Sequence, residues 1–391
     1  MKSIDKNVVM LGWVSYFTDM ATAMIQPILP LFIVLILHEG MDKLGFIVAV
    51  ATFVSYAMRL LSGYLSDRYG IVKPFVVAGY GLSALTKPLI GFTSNYQQIT
   101  VLQSLERLGK GLRSAPKDMM ITAYSKKNAS GKTFGFHKTL DIAGELSATV
   151  ILFGVLAIFG QSESVMRNIF YATLIPGMIG LALMIFFVKD IPKPSRHESM
   201  KFTFSAEDKQ TVKALFVYFF FVFFIFSAAF FTVQAKEVGI ATALIPLLFV
   251  VSTGIQTATS YIIGTWIDRV GVRRIMLFAY LSGVVAQVLL YLQNPLSTWF
   301  AFAFLGLFTV ASLNANRAYI ADSAQNKGSV YGIFYAGVAL FGALGAYIGG
   351  MIWEYFGMQM ALGYSLAGTL MMLVFFGVIV RNGKKTSPGE G

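Results

Sequence analysis

The sequence contains no cysteine, which excludes disulfides and thiolate-bound metals. Charge is scarce too. Lys, Arg, Asp and Glu make up 13% of the 391 residues, against about 25% in an ordinary soluble domain. Histidine occurs three times, and only His137 falls in an apolar stretch, so no inward cluster of metal ligands is evident. A phosphate loop is missing: GKTFG at 131–135 lacks the upstream GxxxxGK[ST] pattern. ATP hydrolysis within the chain is therefore not expected, and neither is any cofactor. Residues 1–10 are short and polar, and Leu11 begins a long helical segment with no small-residue cleavage signature, so no cleavable signal peptide is expected.

What the chain has instead is apolar length. Hydrophobic residues account for 56% and the mean hydropathy is +0.68. A helix needs about 20 apolar residues to cross a bilayer core. Residues 214–235, 329–353 and 355–380 are each free of charge. Twelve spans can be placed, near 11–36, 45–65, 74–93, 98–121, 134–159 and 168–188, then near 212–235, 241–264, 274–292, 298–319, 329–352 and 359–380. The expected fold is an all-α membrane protein with twelve transmembrane helices. It forms two bundles of six, residues 1–188 and 211–380, with a polar linker at 189–210 and a polar tail at 381–391.

The formal net charge of +12 comes from loops on one side, so it signals a membrane orientation and not nucleic acid. Lys2, Lys6, Arg68, Lys73, Lys126, Lys127, Lys132, Lys189, Lys193, Arg196, Lys201, Arg269, Arg273, Arg274, Lys327, Arg381, Lys384 and Lys385 all fall there. The opposite connections carry few basic residues. Both termini and the 189–210 linker are therefore expected in the cytoplasm.

The chain also repeats. GYLSDRYG at 63–70 is answered by GTWIDRVG at 264–271, each after the second span of its half. GKTFG is answered more faintly by GSVYG at 328–332. Parallel repeats of this kind fit transporters whose halves rock about a central site.

At these residues the sequence resembles the major facilitator superfamily. The two loops are similar to its signature after the second helix, with Lys73 standing where a basic pair is usual. The resemblance implies a cytoplasmic latch at Gly63, Asp67, Arg68 and Gly70, with Asp268 and Arg269 as counterparts. LERLGKG at 105–111 resembles the fourth-helix Arg-x-x-x-Gly pattern through Arg107 and Gly111, which in proton-driven members is associated with coupling. The stretch 109–118, GKGLRSAPKD, looks like a bacterial twelve-helix branch of uncertain substrate. The fifth span, DIAGELSATVILFG from Asp141, has no Gly-Pro pair, a departure from drug antiporters.

Ionisable residues within a span face a cavity or a partner. Here they gather in the first half: Asp19, Arg59, Lys87, Glu106, Arg107, Lys110, Arg113, His137, Lys138, Asp141 and Glu145. Asp19, Arg107, Asp141 and Glu145 are the proton-coupling candidates. The structural alternative is a static ion-pair cluster. Lys87 is expected to snorkel outward. Gln26, Lys110, Gln256 and Asn314 are the substrate-cavity candidates. The function expected is proton-coupled export of a small organic solute by alternating access. The protein would be a monomer in the cell inner membrane, with lipid, solute and protons as partners. Uptake of a solute or metal chelate, uniport, and a non-transporting sensor or assembly protein are the alternatives.

Because the background has no cysteine, orientation has a clean assay. An impermeant thiol reagent applied to intact cells is expected to label Asn294→Cys and spare Ser199→Cys. The reverse pattern would invert the topology.

Overall fold

The computed structural model describes residues 5–69, 72–125, 130–191 and 205–385, and no strand occurs among them. In chain order the helices are α1 (Lys6–Ile25), α2 (Leu29–Leu31), α3 (Met41–Tyr69), α4 (Lys73–Leu89), α5 (Tyr96–Tyr124), α6 (Ser130–Phe159) and α7 (Glu163–Ala172). They continue as α8 (Leu174–Phe187), α9 (Ala206–Phe224), α10 (Ala228–Glu237), α11 (Ile245–Val270), α12 (Val272–Tyr291), α13 (Pro295–Ser323) and α14 (Lys327–Lys385). The chain divides into two compact units, Met1–Ser199 with Thr242–Pro246, and Met200–Ala241 with Leu247–Gly391.

Local chemistry sets the helix ends. Asp5, Asn95, Ser162, Ser205 and Asn294 each accept a backbone N–H at a helix start. Ser205 and Asp208 form a reciprocal capping box, so helix begins at Ala206, inside the 189–210 stretch expected as linker. The first long helix of each unit is interrupted. α1 gives way to a turn at Gln26, Pro27 and Ile28, followed by α2 and a π-helical turn at Phe32–Ile36. α9 stops before Ile225, and α10 restarts after Ser227.

Ten helical stretches among the described residues are long and apolar enough to cross a membrane, so this is an all-α, multi-span membrane fold. The last of them, Ser329–Val378, has 50 residues. It bends at Gly357, whose φ of 85° and ψ of 167° leave the helical region. α5 is 29 residues long but is not among the ten, because Glu106, Arg107, Lys110, Arg113, Lys117 and Asp118 lower its hydropathy.

Glycines set how closely helices cross. A Cβ on Gly111 of α5 would lie 2.6 Å from the Ser55 carbonyl oxygen of α3. In the second unit a Cβ on Gly306 of α13 would lie 2.6 Å from the Ser252 carbonyl oxygen of α11. Gly144 of α6 meets the Tyr16 carbonyl of α1 in the same way, and Gly345 of α14 meets that of Phe223 in α9. Backbones this close gain dispersion and Cα–H···O contacts in place of a hydrophobic driving force. Both units thus use the same pairs of helix crossings.

A methyl at Gly144 has no room, whereas one at Gly254 meets nothing within 4 Å. Gly144→Ala is expected to destabilise by about 1–3 kcal/mol through overpacking, read as a lowered thermal unfolding midpoint in detergent. Gly254→Ala is expected to leave the midpoint unchanged or raise it slightly.

Candidate functional site

The Gly-Lys-Gly triplet of α5 is where the first unit begins to acquire chemistry. Gly109 presses on the backbone of α4, where its Cβ would lie 2.7 Å from the Gly79 carbonyl oxygen. Gly111 presses on α3. Successive residues turn by about 100° on a helix, so the two glycines seat α5 against neighbours on opposite flanks. Lys110 lies between them on the helix wheel and is half-buried.

One turn to either side of Lys110 on the same face lies a buried set of charges. Lys87 of α4 and Glu106 of α5 are 2% and 3% exposed. Lys87 Nζ approaches Glu106 Oε1 to 3.7 Å, and Arg107 Nε approaches Glu106 Oε2 to 3.4 Å. Neither Lys87 Nζ nor Glu106 Oε1 has a hydrogen-bond partner. The outward snorkelling expected of Lys87 is therefore wrong. Its ammonium stays inside because the Glu106 carboxylate offers a counter-charge there. Arg113 is also buried. Its Nη1 donates to Ser83 Oγ at 2.7 Å and to the Gly79 carbonyl at 3.3 Å. Its guanidinium carbon lies 4.6 Å from the Tyr80 ring centroid.

A second set joins α1, α5 and α6. Ser15 Oγ lies 3.0 Å from His137 Nε2 and accepts from Lys117 Nζ at 3.3 Å. His137 Nδ1 faces Asp141 Oδ1 at 3.3 Å. Asp141 Oδ1 is buried there. Lys138 Nζ is 3.9 Å from Asp141 Oδ2. Asp19 sits one turn beyond Ser15, half-buried. It is within electrostatic reach of Lys87, Lys110, Lys117 and Glu145. The first unit thus brings together Asp19, Arg107, Lys110, Asp141 and Glu145, five of the residues singled out from the sequence. Sequence reasoning missed Ser15, Tyr80, Ser83 and Lys117. Ser15 had one signal, its i, i+4 spacing to Asp19.

The remaining candidates sit elsewhere. Gln26 is exposed at the break after α1. Gln256 of α11 donates to Ser252 Oγ at 3.3 Å, within its own helix. Asn314 is half-buried on α13, two residues before a buried Asn316 that bonds the Ser312 carbonyl at 2.8 Å. For Gly63, Asp67 and Arg68 only helical backbone is described, and Gly70 lies outside the described residues. Asp268 and Arg269 are exposed near the end of α11. There Gly271, at φ 87°, takes the left-handed conformation that turns the chain into α12. Lys73, the single basic residue after the first loop, bonds the Ile185 and Val188 carbonyls at 2.9 and 2.6 Å. It thereby compensates the negative end of α8. Among the described residues no group of three or more His, Cys, Asp or Glu is placed to hold a metal.

The family model described as Major Facilitator Superfamily matches residues 11–235 and 214–391. An uncharacterized MFS-type transporter of Methanocaldococcus jannaschii is 30% identical over 370 residues, 90% of each chain. A probable 4-methylmuconolactone transporter of Cupriavidus pinatubonensis is 30% identical over 172 residues, covering 44% of this chain and 39% of that one. Among solved structures, the nucleoside transporter NupG superposes with a TM-score of 0.78 at 13% identity, over 96% of this chain and 99% of that one.

The buried pair has a measurable signature. Glu106→Leu leaves the Lys87 ammonium uncompensated, and a loss of about 3–5 kcal/mol is expected. Adding Lys87→Met should recover most of that loss, because two apolar groups then replace two charges. Thermal unfolding of the single and double variants checks this. Additive losses would mean that the two charges do not interact.

Proposed function

The chain belongs to the Major Facilitator Superfamily, whose members are secondary transporters working by alternating access, and from that premise we propose that it moves a small organic solute across the membrane coupled to protons. The observation that carries this reading is the segregation of charge. The first unit holds Asp19, Lys87, Glu106, Arg107, Lys110, Asp141 and Glu145 within its helices. Residues 275–316, 329–353 and 355–380 of the second unit are free of charge. A buried ionic set confined to one unit, with polar atoms left unsatisfied, is expensive unless protonation or cargo relieves it.

The architecture that goes with this reading has twelve helices in two bundles of six, residues 1–188 and 211–380. The ten apolar stretches become twelve when Ser329–Val378 is divided at Gly357 and α5 is added. Both termini and the linker lie in the cytoplasm, and the membrane is the cell's inner membrane. Asp67 and Arg68, with Asp268 and Arg269, close the cytoplasmic side in part of the cycle. Gln26, Lys110, Gln256 and Asn314 contact the solute.

Coupling runs through Asp19, Arg107, Asp141 and Glu145. A carboxylate takes up a proton while open to the more acidic side. Neutral, it tolerates the drier closed state. It releases the proton on the other side, where water and the basic groups favour its charged form. Lys117, Ser15, His137 and Asp141 offer a path for that proton from α5 through α1 to α6. With a solute that competes for the carboxylate, the movements oppose one another and the outcome is export. A solute that competes for the lysines gives the opposite coupling, uptake, and the excess of cations around Lys110 favours that second reading.

Asp19→Asn and Asp141→Asn are expected to fold and to retain exchange of a transported solute, while uphill transport driven by a pH gradient falls to background. Gradient-driven flux with an internal pH dye measures it. Concentrative transport surviving in both variants would remove these carboxylates from the coupling set.

A further inference from the structure

Six ionisable groups of the first unit lie within electrostatic reach of one another: Asp19, Lys87, Glu106, Arg107, Lys110 and Arg113. Four are cations and two are carboxylates, an excess of two positive charges (4 − 2). The neighbouring groups Lys117, Lys138, Asp141 and Glu145 balance (2 − 2) and do not remove it.

The cations are not equally committed. Arg113 is held by Ser83, the Gly79 carbonyl and the Tyr80 ring. Lys87 is buried beside Glu106. Arg107 gives only its Nε to Glu106, and its side chain is 33% exposed. Lys110 is half-buried, and its ammonium has no hydrogen bond or ion pair among the described residues. Lys110 and Arg107 are three residues apart and share a helix face. Gly109 packs on α4 and Gly111 on α3, to either side of Lys110. The result is a forked guanidinium beside a free ammonium, in a region with too few carboxylates.

We propose that the transported solute is a small organic anion, and that Lys110 together with Arg107 takes its acidic group. This rests on the transport function proposed above and deepens it. The solute supplies the counter-charge that the helices lack. The groups within electrostatic reach of Asp19 are Lys87 from α4, Lys110 and Lys117 from α5 and Glu145 from α6. The Asp19 carboxylate and the solute anion therefore compete for the same ammonium groups. Neutralising Asp19 removes a competing negative charge near those groups and strengthens their attraction for the anion. Proton and anion are bound together and cross in the same direction, so an acidic exterior drives uptake. This coupling is opposite to the export expected from the sequence, which assumes competition for a carboxylate.

The test uses the full chain, purified and reconstituted into liposomes with the exterior more acidic than the lumen. The probe is a total small-molecule extract of bacterial cells. Mass spectrometry identifies which of its components become concentrated inside, relative to protein-free liposomes. The expected result is accumulation of solutes that are anionic at neutral pH. It should fall by about tenfold or more in Lys110→Gln, the loss expected for one charge-assisted hydrogen bond. Lys110→Arg should retain it, and unfolding midpoints of both variants control for folding. Accumulation of cationic or neutral solutes alone overturns the anion assignment and leaves transport intact. Anion accumulation that is equal in wild type and Lys110→Gln overturns the assignment of Lys110 as the group that takes the anion. Anions that move only outward as protons enter overturn the shared direction. If no component moves under either gradient orientation, the transport function fails and takes the inference with it.

Discussion

Glu106 sits between two cations, Lys87 at 3.7 Å and Arg107 at 3.4 Å, in a place that water scarcely reaches. A charge removed from water costs several kcal/mol unless another charge compensates it. Much of the first unit's arrangement follows from that constraint. Lys87 turns inward to meet the carboxylate. Arg113 is taken up by a hydroxyl, a carbonyl and an aromatic face. The small residues Gly79, Gly109 and Gly111 bring three backbones close enough for these side chains to reach one another. Lys110 is left half-buried.

The second unit solves its interior by different means. Phe221 stacks on Tyr280 with centroids 4.8 Å apart, Tyr280 meets Phe376 edge-on at 4.9 Å, and Tyr218 stacks on Phe334 at 5.8 Å. Such contacts are dispersive and carry no charge. The helix crossings repeat between the units, but the contents do not. One unit gathers ionisable groups among its helices, and the other fills its interior with aromatic rings. The aromatic run at 218–231 thus serves largely as packing. Phe219, Phe221, Phe226, Phe230 and Phe231 are buried, while Phe220 is exposed.

Much of this was legible in the sequence, for physical reasons that differ from residue to residue. Charge-free stretches of membrane length announce helices because nothing else satisfies the backbone in lipid. Gly271 was visible as part of a repeated loop because only a residue without a Cβ turns easily at φ 87°. The ionic set was visible as a list of charged residues, and the i, i+4 spacing of His137 and Asp141 placed those two together. What stayed hidden was everything that depends on which helices touch. Lys87 looked like a residue able to snorkel, since its counter-charge lies on another helix. Ser15, Tyr80 and Ser83 looked like ordinary span residues because their importance comes from reaching across α4, α5 and α6. The meaning of Gly-Lys-Gly was hidden for the same reason, since it needs both flanking backbones to be known.

The charge carried by α5 bears on how the protein is made. A segment with Glu106, Arg107, Lys110, Arg113 and Lys117 is a poor candidate to leave the translocation channel on its own, since each ionised residue near a helix centre adds about 2.5–3.5 kcal/mol to insertion. α4 emerges from the ribosome first, carrying Lys87 and Gly79. α6 follows, carrying His137 and Asp141. α5 becomes acceptable to lipid only when its glycines have docked and its charges have found those neighbours. The cost of placing α5 in lipid therefore depends on helices that flank it in the chain, and the Lys87–Glu106 pair lowers that cost.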